Sequence, residues 1–232
     1  SAALLGWIIG GLSGGWLSRI LGRKKGLMIA AILFLVSAIG SAMPEIFVRP
    51  IGEGDHTFIW NFVVYRLIGG IGVGRASMMS PMYIAEIAPA KKRGKLVSFN
   101  QLAIITGMLI VYFVNYWIAR HGTDTWLHET GWRWMFASEA IPALLFLILV
   151  FFIPETPRFL ALKGREEKAM GVLRRINGED KANEILSDIR ESLNKVNQSG
   201  KLFSYGVLVI MVGLAIAIFQ QMIGINVIMY YA

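Results

Sequence analysis

Cysteine is absent from the 232 residues, which removes disulfide frameworks, thiolate metal sites and cysteine nucleophiles. Histidine is nearly absent: His56, His121 and His128 are scattered and supply no helical pair of metal ligands. Charge is scarce as well. Asp, Glu, Lys and Arg make up 16% of the chain, against roughly 25% in soluble domains, so the polar surface that water requires is missing. No nucleophile elbow, HExxH element or P-loop is present, and no close acid pair lies inside an apolar block, so an enzyme is not expected. No repeated acidic ring or filter sequence marks a channel.

What is there is apolar residues in long blocks, 55% of the chain in all. A membrane-crossing helix needs about 20 mostly apolar residues. Six stretches qualify: 1–18, 26–44, 56–85, 96–119, 134–154 and 202–232. Between them the loops alternate in sign. The first carries Arg19, Arg23, Lys24 and Lys25, and the third is Lys91-Lys92-Arg93-Gly94-Lys95. The second, 45–57, holds Glu45, Glu53 and Asp55 against Arg49, and the fourth, 120–131, holds Arg120, Asp124 and Glu129. Basic loops face the cytoplasm, so residues 19–25, 91–95 and 155–201 are expected inside. The net charge of +8 is then a matter of topology, and nucleic acid is not an expected partner. The expected fold is all-α and multi-pass. Residues 155–201 form a soluble insertion in which Met170, Leu173 and Ile176, then Ile185, Leu186, Ile189 and Leu193, recur at helical spacing. Short amphipathic helices broken near Asn177-Gly178 follow from that pattern.

Several residues are expensive at membrane depth. Gly6, Gly10 and Gly14 repeat every four residues, as do Gly70 and Gly74, and such rows let helix backbones approach closely in lipid. An ionisable group at depth costs about 2.5–3.5 kcal/mol on insertion scales and requires a partner or a watery cavity. Arg66 lies a third of the way into the third block with no evident carboxylate in this chain. It either faces a titrating acid on another helix or caps backbone carbonyls. Arg75, nine residues on, has no evident partner. Glu86 and Arg93 flank the third loop within reach of Arg23 or Lys24, and Glu139 is expected to pair with Arg133. Gln101 lies in the fourth block, with Gln220, Gln221 and Asn226 in the sixth. Their amides suit hydroxyl-rich ligands such as sugars, or serve as glue between helices. Gly224 could interrupt the sixth helix, as in transporters whose broken helices line a midplane site.

Four ordered motifs resemble the sugar porter family of the major facilitator superfamily. Arg66-Leu67-Ile68-Gly69-Gly70-Ile71-Gly72-Val73-Gly74 resembles its RxxGGxGxG signature. Pro81-Met82-Tyr83-Ile84-Ala85-Glu86-Ile87-Ala88-Pro89 with Arg93-Gly94 is similar to PxYxxExAPxxxRG. Pro154-Glu155-Thr156-Pro157-Arg158 resembles PESPR with Thr for Ser. Gln220-Gln221-Met222-Ile223-Gly224-Ile225-Asn226 with Tyr230-Tyr231 resembles QQxxGxN and its YY pair.

This resemblance implies a partial major facilitator fold, covering helices two to seven of twelve. Residues 1–154 would be the N-terminal bundle from helix two to helix six. Residues 155–201 would be the cytoplasmic helical linker, and 202–232 the first helix of the C-terminal bundle. It further implies alternating-access transport of a monosaccharide such as xylose across the inner membrane of the cell, with protons as coupling ion and no other cofactor. Gln101, Gln220, Gln221 and Asn226 match sugar-contacting positions, and Tyr230 and Tyr231 an outer gate. Arg66 matches the Arg that faces a proton-coupling Asp on the family's first helix. Arg23, Glu86, Arg93, Glu155 and Arg158 match a cytoplasmic charge network that acts as a gate. The expected partners are a pentose or hexose, the lipid bilayer and the remainder of the transporter. The alternative is a truncated or decayed remnant with the fold but no transport of its own. Three positions depart from the family pattern. Arg19-Ile20 stand where Asp or Asn and then Arg are usual, Met108 where xylose-transporting members carry a second Gln, and Arg75 where an apolar residue is usual.

Overall fold

The computed structural model describes residues 2–45, 58–198 and 207–222, which form helices joined by short turns with no strand among them. They divide into two compact units, Ser1–Leu186 and Ser187–Ala232.

The first unit opens with α1 (Ala2–Leu21), α2 (Arg23–Ala42), α3 (Ile59–Ile87) and α4 (Arg93–His121). A short turn α5 (Asp124–Trp126) and a π-helical stretch Leu127–Gly131 then lead into α6 (Trp132–Ser138) and α7 (Ala140–Phe152). Ala2–Leu21, Arg23–Ala42, Arg93–His121 and Asp124–Phe152 are each long and apolar enough to cross a membrane. At 1.5 Å per residue the 20 residues of α1 or α2 span about 30 Å, one hydrocarbon core. α3 is longer, at 29 residues, and carries Arg66 and Arg75 within it.

Glycine sets the packing of α1 on α3. Gly6, Gly10 and Gly14 are the buried face of α1, together with Ser18. A methyl group added at Gly10 would land on the backbone of Ile71, and one at Gly74 on the backbone of Trp7 and Gly11. Two rows of small residues therefore meet backbone to backbone, as the spacing predicts. α2 lies on another side of α3, where Gly26 admits the Met79 side chain and Gly69 admits Ser37. Leu27, Met79 and Val150 form the buried core between α2, α3 and α7, with Tyr83, Phe146 and Ile153 against it. α4 buries no residue in this unit.

The break between α6 and α7 falls on Glu139. Pro142 explains it, because its ring displaces the carbonyl of Ser138 and it has no N–H to donate there. The insertion then follows as α8 (Pro157–Leu162), α9 (Glu166–Asn177) and α10 (Glu179–Gln198), the unit boundary falling within α10. Thr156 caps α8 through its hydroxyl, which accepts from the Phe159 N–H at 3.4 Å, with Pro157 in the first helical position. Gly178, at φ +83°, ends α9 in a conformation other residues resist, so the expected break at Asn177-Gly178 is where the chain turns. The buried positions of these helices are Pro157, Phe159 and Leu160 on α8, Ala169 and Leu173 on α9, and Ala182 and Leu186 on α10.

The second unit contributes α11 (Val207–Met222), an apolar helix within the sixth expected block. The side chains of Gln220 and Gln221, and residues Asn226, Tyr230 and Tyr231 entirely, lie outside the described residues.

Candidate functional site

One end of the first unit carries the basic loops, and its charges are organised around the turn between α1 and α2. Gly22 adopts φ +90°, and a side chain there would strike the Glu155 carboxylate and the Phe159 ring. The chain thus enters α2 with its first amides free, and Glu155 takes them. Its Oε1 accepts from the backbone N–H of Arg23 at 3.0 Å, of Lys24 at 3.1 Å and of Thr156 at 3.0 Å. A carboxylate at a helix N-terminus is stabilised by both the free N–H groups and the helix dipole. With its backbone held, the Arg23 side chain reaches Glu86 on α3 at 2.6 Å and donates to the Ser18 carbonyl at 3.1 Å. Tyr83 adds a hydroxyl bond to the Pro154 carbonyl at 2.9 Å. α1, α2, α3 and the start of the insertion are therefore fastened at one level.

Of the five residues expected in this network, Arg23 and Glu86 form an ion pair and Glu155 joins through backbone amides rather than an arginine. Arg93, exposed in the first turn of α4, and Arg158 make no ion pair among the described residues. Gly22 and Tyr83 are the members that sequence reasoning left out of the network, although both sit inside the quoted motifs.

Deeper in the bundle, the expectation that Arg66 finds no carboxylate in this chain is corrected. Its Nη1 lies 3.6 Å from Oε2 of Glu139, and its guanidinium stacks over the Phe136 ring at 5.2 Å. The break at Glu139 presents that carboxylate, and Phe62 against Phe136 (edge to face, 5.3 Å) holds α3 beside α6 there. The expected pairing of Glu139 with Arg133 is likewise corrected. Arg133 instead forms a two-pronged bond with Glu45, one prong at 2.8 Å, and donates to the Ala42 carbonyl at 3.2 Å. Glu45 is only 2% exposed. The hydrogen bonds from Arg133 hold its carboxyl below the usual carboxylate range, against the opposing effect of burial. Nothing in the structure explains Arg75, whose buried Nε has no partner among the described residues.

Gln101 projects exposed from α4. Its neighbour Asn100 accepts a hydrogen bond from Ser80 at 2.8 Å, which sets the rotation of α4 against α3 beside it. Thr106, Gly107 and Met108 follow on the same helix, and nothing lies within 4 Å of a methyl group placed at Gly107. No cluster of metal-ligating side chains occurs among the described residues.

Comparison with known proteins agrees with this architecture. The family described as "Sugar (and other) transporter" matches residues 1–232. The D-xylose-proton symporter of Escherichia coli (strain K12) is 53% identical over 240 residues, covering 100% of this chain and 49% of that protein. The arabinose-proton symporter of Bacillus subtilis (strain 168) is 40% identical over 235 residues, covering 100% and 48%. Among solved structures, the proton:xylose symporter XylE bound to 6-bromo-6-deoxy-D-glucose superposes with a TM-score of 0.94 at 52% identity, over 99% of this chain and 50% of that one. The inward open conformation of the E. coli xylose transporter gives 0.85 at 52% identity, over 99% and 51%. The chain spans about half the length of the curated relatives it matches.

Proposed function

Because the chain belongs to the sugar transporter family and carries part of the major facilitator fold, we propose that it moves a monosaccharide across the inner membrane as part of a transporter working by alternating access. In this reading residues 1–154 are helices two to six of the N-terminal bundle, 155–201 the cytoplasmic linker, and 202–232 the start of the C-terminal bundle. Loops 19–25 and 91–95 face the cytoplasm with that linker. Gln101, Gln220, Gln221 and Asn226 hold the sugar, because amides pair donors and acceptors with its hydroxyls. Tyr230 and Tyr231 close the outer side. The two bundles rock about this site, and binding shifts the population between the two open states.

The observation that carries the proposal is the Arg66–Glu139 ion pair, 3.6 Å apart, between α3 and the break joining α6 to α7 in two of the expected apolar blocks. A guanidinium at that depth demands a counter-charge. Glu139 supplies one without consuming the second role that family resemblance assigns to Arg66, namely facing a proton-carrying acid. When that acid is protonated, Arg66 keeps a carboxylate, and the bundle moves without an uncompensated charge. The sugar is xylose or a hexose. Names of relatives that carry xylose and arabinose support a pentose, and Met108 in place of a second Gln favours a hexose. The closing of the inner side falls to the Arg23–Glu86 pair with Glu155, and to Arg93 and Arg158 on a surface left for the opposite bundle.

Arg66→Leu in proteoliposomes tests the coupling. Accumulation of labelled sugar driven by a proton gradient is expected to vanish, with exchange of sugar down its own gradient retained. Uphill accumulation by the variant at the unsubstituted level would remove Arg66 from the mechanism. The second reading, a half-length chain with the fold but no transport of its own, is favoured by the roughly half coverage of the relatives. It predicts no sugar exchange by the 232 residues alone.

A further inference from the structure

The end with the basic loops holds one group of side chains that neither the sugar site nor the ion pairs use. Lys24 donates from Nζ to the Phe151 carbonyl at 2.8 Å and lies 5.7 Å from the centre of the Phe151 ring. It thereby bridges the first turn of α2 to the last turn of α7. Phe151 and Phe152 meet edge to face at 6.0 Å and are 64% and 77% exposed. Lys25, the next residue along α2, is exposed with no ion pair among the described residues. The Glu155 carboxylate lies at the start of α2, and its Oε1 is engaged by the backbone N–H groups of Arg23, Lys24 and Thr156. Neither ammonium group forms an ion pair among the described residues.

The surface leading away from them is apolar. On α2, Lys25, Ile32, Val36 and Ile39 follow one another at steps of seven, four and three, a single exposed stripe. On α7, Ile141, Leu145, Ile148 and Phe152 do the same, also exposed. Both stripes end at the same corner, since Lys24 ties one helix to the other there. Cations with aliphatic stems, and aromatic rings beside them, settle at the headgroup level of a bilayer.

We propose that Lys24, Lys25, Phe151 and Phe152 form a headgroup site for an anionic phospholipid in the leaflet on the basic-loop side. The phosphate accepts from the Lys24 ammonium, which keeps two N–H groups beyond the one given to Phe151, and from Lys25. The acyl chains lie along the α2 and α7 stripes. The site rests on the membrane placement of these helices and not on the sugar reading, so either can fail without the other.

Native mass spectrometry of the intact transporter, titrated with phosphatidylglycerol or phosphatidylcholine, reads the site directly. Each basic residue near an anionic headgroup is worth roughly fivefold in affinity. Lys24→Gln with Lys25→Gln should therefore weaken phosphatidylglycerol binding more than tenfold, while Lys24→Arg with Lys25→Arg retains it. Lys91→Gln with Lys92→Gln, an equal loss of charge on the same side, should cost less than twofold. If the first pair does not fold, Lys25→Glu alone should weaken phosphatidylglycerol and leave phosphatidylcholine unchanged. Equal binding of the two lipids by the unsubstituted protein, equal loss in the two Gln pairs, or no loss in Lys25→Glu would overturn the proposal.

Discussion

At the scale of single residues, Glu45 shows how a loop acid becomes structural. Its two oxygens meet the guanidinium of Arg133 across 88 positions of sequence, and it is 2% exposed. Because the folded carboxyl is held below its ordinary value, the pair adds stability above the unfolded pKa, about 4.3, and loses it as pH falls through the lower folded value. Removing one member of a buried pair costs about 3–5 kcal/mol, of which the partly exposed Arg133 recovers some through water, leaving roughly 3 kcal/mol. Glu45→Gln is therefore expected to lower the unfolding temperature at pH 7 and to flatten its fall between pH 5 and 3. Thermal unfolding in detergent across that range checks it, and an unchanged acid slope in the variant would contradict the assignment. The pairing was not legible in the sequence, since Glu45 reads as one acid among several in an outer loop and Arg133 has Glu139 six residues away. Only the folding of α2 beside α6 exchanges the partners, giving Arg133 to Glu45 and Glu139 to Arg66.

At the scale of elements, glycine spacing marked the faces on which helices approach closely, and the structure shows that the rows of α1 and α3 meet each other. The periodicity of Gly6, Gly10, Gly14, Gly70 and Gly74 is visible without coordinates because close approach in lipid admits only small residues. A direct test contrasts two neighbours on α1. Gly10→Leu drives a side chain into the Ile71 backbone, which has nowhere to move, whereas Gly11 has nothing within 4 Å. Gly10→Leu should cost more than about 3 kcal/mol, by analogy with overpacked cores at their upper end. It should abolish a monodisperse peak in fluorescence-detected size exclusion, while Gly11→Ala leaves the peak in place. Equal behaviour of the two variants would remove the glycine row from the α1–α3 contact. The helices themselves were legible from uncharged runs. The break at Glu139 was not read, although Pro142 announces it, because an apolar run that long reads as one span. The role of Glu155 was hidden for a different reason: a carboxylate bonded to backbone amides leaves no partner side chain to find in the sequence.

At the scale of the whole molecule, two features belong together. Charges collect at the membrane surfaces, where Arg23–Glu86 and Glu45–Arg133 fasten the ends of helices, and one pair, Arg66–Glu139, lies between them. Pairs at both ends tie these helices into one body, as the proposed rocking about a sugar would require. Four motifs located the family because each is a dense run of matching residues and all four occur in order. The sugar was not legible, since Gln101 stands exposed on α4, and the side chains of Gln220 and Gln221, with Asn226, lie outside the described residues. The central claim is that this chain contributes sugar-holding amides to a transporter. It is tested most directly by counterflow of labelled xylose and glucose in proteoliposomes of the intact protein, compared with Gln220→Ala plus Gln221→Ala. Saturable exchange of at least one sugar, reduced at least a hundredfold in the double variant, is the predicted result. Exchange undiminished by the double substitution, or no exchange of either sugar by the unsubstituted protein, would contradict it.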